Sequence, residues 1–190
     1  MIALIMDALM SVQKVYLKYP TVSGKHINQE RVFAYEFYHQ LRCALEKNHK
    51  NLFVSGENKK GVAVAGVGNE HPIFPDLIIH EFGSHASNTI AIELKTSPKI
   101  KASEIERDLD KLIYLTKAPY NYTEVLFLAL NCDLSEKINN SRKYRDRILN
   151  KMENCNQLTV WNFLPLNSTQ NLTRETLKDV DVFEIEVIPI

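Results

Sequence analysis

The stretch FPDLIIHEFGSHASNTIAIELKTS, residues 74–97, decides the fold of this 190-residue chain. Two short apolar runs, at 77–79 and 90–92, flank a break at 83–88 that contains glycine, serine and asparagine. Runs rich in β-branched residues on either side of such a break predict an antiparallel β-hairpin with a longer loop. We expect that loop to centre near His85, which fixes the register of the two strands.

Three charged side chains of the hairpin are predicted to meet on one face. Residues two apart in a strand point to the same side, roughly 7 Å from each other, so Glu93 and Lys95 project together. The register brings Asp76 opposite this pair. Two carboxylates and one ammonium group on one patch suit Mg²⁺ and a phosphodiester substrate. The alternative is a cross-strand ion pair on a solvated sheet face, which is common in antiparallel sheets.

Pro75-Asp76 followed by Glu93-Leu94-Lys95 resembles the PD-(D/E)XK signature of the restriction-endonuclease-like nucleases. The 16 residues between Asp76 and Glu93 are a spacing that this superfamily accepts, and the motif falls where one strand opens and the next ends. The resemblance implies an α/β fold with a mixed β-sheet flanked by helices. It also implies that Asp76, Glu93 and the Leu94 carbonyl are metal ligands and that Lys95 is the catalytic lysine.

Members of that superfamily often supply a further metal-site acid from the helix before the first strand. A helix is predicted over about 28–47. Its apolar stripe has four members: Phe33, Phe37, Leu41 and Leu45. Glu30 lies in line with the stripe, and Glu36 lies on its flank. Either glutamate fits the metal site; we favour Glu36 because polar and charged residues cluster around it. A solvated helix face with local pairs is the alternative for both.

The clearest basic patch is predicted on one helix that runs from about Ser135 to Met152. Four of its residues are candidate nucleic-acid contacts: Arg142, Lys143, Arg145 and Arg147. Such a patch can follow a phosphate backbone, although a solvated face is the alternative. Lys59 and Lys60 are further candidates, in the glycine-containing stretch 57–71.

The other elements are predicted from apolar periodicity and caps. An amphipathic helix is expected at about 1–17, and a capping box at 103–106 begins a helix that ends near Lys117. Asp108 and Lys111 on that helix are candidates for flanking the site, but we favour a structural role for both. Four more strands are predicted, at 51–56, 124–131, 157–164 and 180–188. The strand at 124–131 is apolar enough to be buried on both faces, and the last strand alternates like an edge strand.

Composition is that of an ordinary globular protein, with 45% hydrophobic and 24% charged residues, and we expect one domain over 1–190. The 23 basic and 23 acidic residues cancel, so a nucleic-acid site must be a local patch. Three cysteines without CxxC spacing predict a reduced, cytoplasmic protein with neither a disulfide framework nor a zinc site. The apolar N-terminal run is too short to span a bilayer, so we expect no membrane association.

Together these patterns predict a Mg²⁺-dependent nuclease that also accepts Mn²⁺ and acts on DNA rather than RNA. The alternative is a catalytically inactive nuclease-like module that binds nucleic acid or a protein partner. A third hypothesis is an unrelated α/β binding domain in which the motif is coincidental. The sequence leaves open a homodimer or a partner protein that supplies specificity.

Overall fold

The computed structural model describes residues 1–17, 19–20, 22–23, 26–27, 29–56, 73, 75–81, 88–163 and 186–187. Its helices are α1 (Ile2–Ser11), α2 (Glu30–Asn48), α3 (Ala102–Leu115), α4 (Leu134–Asn139) and α5 (Arg145–Glu153), with a 3₁₀ turn at Lys14–Tyr16. Its strands are β1 (Tyr19–Pro20), β2 (His26–Ile27), β3 (Leu52–Gly56), β4 (Leu77–Glu81), β5 (Asn88–Lys95), β6 (Glu124–Leu130), β7 (Leu158–Phe163) and β8 (Glu186–Val187). None of the described helices combines the length and apolar character that a membrane crossing requires.

Six strands form one mixed sheet in the order β3-β4-β5-β6-β7-β8. Strands β3, β4 and β5 are antiparallel neighbours, β5, β6 and β7 run parallel, and β8 is antiparallel to β7. Strand β6 is buried from its second residue to its last, which confirms the prediction of a central strand. The described part of β8 lies at the sheet edge, as predicted; most of the predicted strand at 180–188 lies outside the described residues.

Helices cover both faces of this sheet, so the mixed α/β class is confirmed. On one face, α1 and α2 pack against side chains such as Ile79 and Leu128. The predicted stripe of α2 is fully buried there. On the other face, α3, α4 and α5 pack against side chains such as Ile78 and Phe127. Ile78 and Ile79 are adjacent in β4 and point to opposite faces, because side chains alternate along a strand.

The helix predicted from Ser135 to Met152 is wrong, because the structure has two helices there, α4 and α5, with a break between them. The Asn140 N–H still bonds to the Glu136 carbonyl at 3.0 Å, and the chain then turns, with the Tyr144 N–H bonded to the Ser141 carbonyl at 3.0 Å. The break contains consecutive asparagine and serine residues, whose side chains compete with the helix for backbone hydrogen bonds. The predicted continuous basic face is therefore divided.

The start of α3 also differs from the prediction. Glu104 Oε2 accepts a hydrogen bond from the Lys101 N–H at 2.8 Å, so the capping box lies at 101–104, two residues before the predicted box at 103–106. The side chain of Glu106 pairs instead with Arg147 and Lys151 on α5. Near the N-terminus, α1 ends at Ser11 rather than near residue 17, because a 3₁₀ turn follows it.

Candidate functional site

The predicted hairpin is present and positions Asp76. Strands β4 and β5 are antiparallel with Leu77 opposite Ile92, so Asp76 comes next to Glu93. The backbone pairing of β4 with β5 begins at Leu77. Asp76 precedes that pairing, and its side chain takes the place of a backbone acceptor for β5. Its Oδ2 accepts a hydrogen bond from the Leu94 N–H at 2.7 Å. The predicted loop around His85 lies outside the described residues.

Glu93 and Lys95 lie on the same face of β5, where α3 covers them. Glu93 is buried, with a relative exposure of 2%. The Lys95 ammonium lies 3.2 Å from Glu93 Oε1 and 3.3 Å from Asp108 Oδ2 on α3. Lys111, one turn further along α3, contacts Glu93 Oε2, and its ammonium lies 3.9 Å from Asp108 Oδ1. The sheet and α3 thus contribute one carboxylate and one ammonium group each.

Glu30 joins this group from the first turn of α2. Its Oε2 accepts a hydrogen bond from the Thr96 N–H at 3.1 Å, at the residue that follows Lys95. Glu36 instead accepts a hydrogen bond from Gln40 Nε2 at 2.7 Å, within α2 itself. The preference for Glu36 is therefore not supported. The physical reason is that Glu30 continues the buried stripe of α2 and so points toward the sheet, whereas Glu36 lies on the flank.

Six residues form what we call the acidic cluster: Glu30, Asp76, Glu93, Lys95, Asp108 and Lys111. Burial is the main cause that raises the pKa of Glu30 and of Asp76. Burial, and next the charge of Asp76, raises the pKa of Glu93 to about 7 even though two lysines oppose the change. Burial is the largest cause of all three shifts, and repulsion by neighbouring carboxylates adds to it.

Lys95 is held in its charged form. Burial alone would lower the pKa of Lys95, but the surrounding carboxylates, with Glu93 and Asp108 foremost, outweigh burial and raise it above its ordinary value. The side chain is only 17% exposed, so its charge acts on its neighbours with little screening by solvent. Lys95 is consequently a fixed cation at neutral pH.

The charges of the acidic cluster suit a divalent cation. When all of its groups are ionised, its four carboxylates exceed its two ammonium groups by two negative charges, apart from the largely exposed Arg107 beside Asp108. Mg²⁺ is commonly held by one or two carboxylates together with waters. Asp76 and Glu93, which come next to each other across β4 and β5, are candidates for such a pair, and the Glu30 carboxylate adds negative charge nearby.

The described residues contain no group of three or more histidine, cysteine, aspartate or glutamate side chains arranged to hold a metal ion together. Instead, an ammonium group of Lys111 contacts Glu93. A site of two carboxylates, completed by water and substrate, therefore fits this arrangement better than a site made of protein ligands alone. The metal role of the Leu94 carbonyl stays a prediction.

Asp108 and Lys111, for which a structural role was favoured, lie beside Glu93 and Lys95. Asp108 follows Ile105 by three residues and precedes Leu112 by four, and all three are buried on α3. An acid within an apolar stripe was the signal for its inward orientation. Lys111 lies one turn after Asp108, which brings it to the same end of β5.

The predicted basic contacts are exposed and partly engaged by neighbours. Arg147 Nε lies 3.1 Å from Glu106 Oε1 on α3, and Arg145 lies 3.6 Å from Asp146. The Lys143 ammonium stands 5.1 Å from the centre of the Tyr144 ring. Lys59 and Lys60 lie outside the described residues. The role of these basic residues in binding nucleic acid stays a prediction.

A cavity of about 400 Å³ adjoins the acidic cluster, between α2 and the start of β4. Glu30 and Asp76 form part of its wall. Tyr35 and Tyr38 of α2 line it as well, and nothing in the sequence pattern indicated that they would do so. The cluster is thus open to a ligand from the α2 side.

Comparisons of the chain with protein-family models, curated proteins and solved structures found no match. The PD-(D/E)XK resemblance consequently depends on the residues and geometry of this chain alone.

Proposed function

We propose that this protein is a metal-dependent nuclease with a restriction-endonuclease-like fold that hydrolyses phosphodiester bonds in DNA. The observation that carries the proposal is the meeting of Asp76, Glu93 and Lys95 at the carboxyl end of β5, joined by Glu30 from a separate helix. Buried carboxylates with raised pKa values cost folding free energy, and they concentrate at functional sites.

Asp76 and Glu93 would hold Mg²⁺, or Mn²⁺ in its place, with the Leu94 carbonyl as a further oxygen donor and the charge of Glu30 nearby. When bound, the ion lowers the pKa of a coordinated water and neutralises charge on the phosphate oxygens. The protein's own part is to orient the carboxylates. The Leu94 and Thr96 N–H groups hold one oxygen of Asp76 and one of Glu30, which leaves each second oxygen for a ligand.

Lys95 acts as a charged hydrogen-bond donor in this proposal. Because its pKa is raised, the ammonium keeps its proton at neutral pH and is unsuited to be a general base. It can donate to a phosphate oxygen or to the attacking water, and it stabilises the negative charge that develops during the displacement. Its bonds to Glu93 and Asp108 fix its position before the substrate arrives.

Cleavage assays test the proposal directly. Labelled single-stranded DNA, double-stranded DNA and RNA would be incubated with Mg²⁺, Mn²⁺ or EDTA, using the wild type, Asp76→Asn and Lys95→Met. We expect metal-dependent cutting of DNA that both substitutions abolish. Glu36→Gln is the matched control, since it changes a glutamate of α2 whose carboxylate accepts a hydrogen bond from Gln40 in the same helix. Cutting that persists in EDTA or in Asp76→Asn would contradict the proposal.

A second candidate is a nuclease-like module that binds nucleic acid or a protein partner without cutting. The contact between Lys111 and Glu93 favours it, because an ammonium group there competes with a metal ion. Thermal unfolding separates the two, since a ligand that binds only the folded state raises the melting temperature with its concentration. A rise with Mg²⁺ that Asp76→Asn removes supports the nuclease. DNA binding without any effect of Mg²⁺ or Mn²⁺ supports the module. The oligomeric state, measured in the same samples, tests whether the chain forms the homodimer that the sequence leaves open.

A further inference from the structure

We propose that the cavity beside the acidic cluster receives an unpaired nucleobase, so that the substrate is a DNA strand whose base has left the helical stack. This inference rests on the proposed nuclease function and specifies the form of its substrate. Single-stranded DNA and frayed or flapped ends belong to that class, whereas an intact duplex does not.

The cavity and the acidic cluster share two residues. Both Glu30 and Asp76 line the cavity, and they accept hydrogen bonds from the Thr96 and Leu94 N–H groups at the end of β5. A ligand in the cavity is therefore in contact with the carboxylates that are proposed to hold the metal ion. In a nucleotide, the base and its phosphate are joined through one sugar, so a base bound here places an adjoining phosphate at the acidic cluster.

The lining of the cavity offers flat aromatic surfaces. Tyr35 and Tyr38 are three residues apart on α2, so both project to the same side of the helix. Tyr35 is 63% exposed, so much of its side chain is accessible to a ligand. The small residues Ala34 and Gly56 line the cavity as well. The volume of about 400 Å³ lies within the range of small-ligand sites.

Charge favours a base over a phosphate inside the cavity. The carboxylates of Glu30 and Asp76 repel an anion but accept hydrogen bonds from the N–H groups of a base edge. Arg31 lines the same cavity, and a guanidinium stacks on or donates to a base. The ammonium groups of Lys95 and Lys111 lie with Glu93 and Asp108, where the phosphate belongs. The two halves of a nucleotide thus match two differently charged regions.

A base inside a duplex cannot enter this cavity until it leaves its stack and its pair. Unpairing and unstacking the base cost free energy in a duplex, whereas the base of an unpaired strand needs no unpairing. The cavity therefore discriminates in favour of unpaired strands without reading their sequence, because every base has an aromatic face.

Fluorescence-anisotropy titrations in EDTA, where no cutting is expected, test the proposal. The probes are a labelled DNA strand of about 12 nucleotides, the same strand with every base removed, and its duplex. We expect Tyr35→Ala to weaken binding of the intact strand by roughly tenfold to a hundredfold, as loss of one aromatic stacking partner does. The wild type should bind the abasic strand and the duplex more weakly than the intact strand. Tyr35→Ala should leave the binding of these two probes unchanged.

Two other variants keep the test falsifiable. Ala34→Phe fills the cavity without removing a charged group, and it should weaken binding of the intact strand in the same way. Tyr114→Ala is the matched control, because Tyr114 is 46% exposed on α3 and is not among the cavity-lining residues. It should bind as the wild type does.

The proposal is overturned if the abasic strand binds as tightly as the intact one, or if Tyr35→Ala and Ala34→Phe both bind like the wild type. It is also overturned if the wild type binds no single-stranded DNA. Parallel cleavage assays with Mg²⁺ separate the two proposals. Metal-dependent cutting together with tight abasic binding would refute the cavity inference and leave the nuclease intact. Base-dependent binding without cutting or stabilisation by a metal ion would refute the nuclease instead.

Discussion

Replacing Glu93 by glutamine removes one ionisable group from the acidic cluster and keeps the shape of the side chain. The lysines that contact Glu93 keep a second partner, because Asp108 lies 3.3 Å from the Lys95 ammonium and 3.9 Å from that of Lys111. The substitution therefore isolates the free energy of holding the Glu93 charge in a buried site. We expect Glu93→Gln to be more stable than the wild type above neutral pH.

The pKa values give the sign of this effect. Glu93 ionises near its ordinary value of 4.5 in the unfolded chain, and at about 7 in the folded one, mainly because it is buried. Between these values the folded state binds more protons than the unfolded state. The free energy of unfolding of the wild type therefore falls as the pH rises through this window. Below the window Glu93 is protonated in both states and behaves like glutamine.

The size of the effect follows from the same two values. A pKa that rises from 4.5 in the unfolded chain to about 7 in the folded one lowers the free energy of unfolding by about 3 kcal/mol once the pH exceeds both values. Solvent screening reduces this loss only slightly, since Glu93 is only 2% exposed. For a chain of this length, such a difference corresponds to a rise of about 6–12 °C in melting temperature for Glu93→Gln at about pH 8.

Thermal and urea unfolding in EDTA, from about pH 4 to about pH 8, measure the difference between the two proteins. Glu46→Gln is the control, because Glu46 is an exposed acid paired with Arg42 and should show little change at any pH. A Glu93→Gln protein that is less stable than the wild type at pH 8, or a difference independent of pH, would refute the reasoning. Adding Mg²⁺ should reduce the gap, because only the wild type keeps both proposed carboxylate ligands.

Glu30→Gln should reduce the stabilisation by Mg²⁺, and Glu36→Gln should not, because only Glu30 reaches the end of β5. Melting temperatures of the two variants across a Mg²⁺ titration measure this difference. An equal loss of Mg²⁺-dependent stabilisation in both variants would contradict the prediction. Lys111→Met should lower stability in EDTA at about pH 8 by about 2 kcal/mol, since Glu93 loses a charged hydrogen-bond donor. It should also increase the rise in melting temperature caused by Mg²⁺, because the ion no longer displaces an ammonium group; a smaller rise than in the wild type would exclude such competition.

Local patterns were sufficient to predict the centre of the fold. The period of two along β5 placed Glu93 and Lys95 on one face, and the register of the hairpin brought Asp76 beside them. The stripe of α2 was predicted residue by residue, because a helix that covers a sheet must bury every third or fourth side chain. Each of these inferences needs only the geometry of one element or of two adjacent strands.

The choice between Glu30 and Glu36 needed information that periodicity does not carry. Helical spacing shows that Glu30 points to the same side as the buried stripe, but only the packing of α2 shows that its first turn meets the end of β5. The same holds for Asp108 and Lys111, whose spacing indicates a shared face of α3. Whether that face meets Glu93 depends on where α3 crosses the sheet, which contacts distant in sequence determine.

The acidic cluster differs in its charge balance from an ion-pair network that serves stability alone. Surface pairs contribute little to stability, and buried pairs often contribute less than well-packed apolar side chains of the same size. A network that existed for stability would balance its charges, yet here carboxylates outnumber ammonium groups and the pKa values of Glu30, Asp76 and Glu93 are all raised. The unbalanced negative charge destabilises the folded chain by itself, and we expect a bound divalent cation to offset this effect. Metal-dependent stabilisation of the wild type is therefore the property that a purely structural cluster would lack.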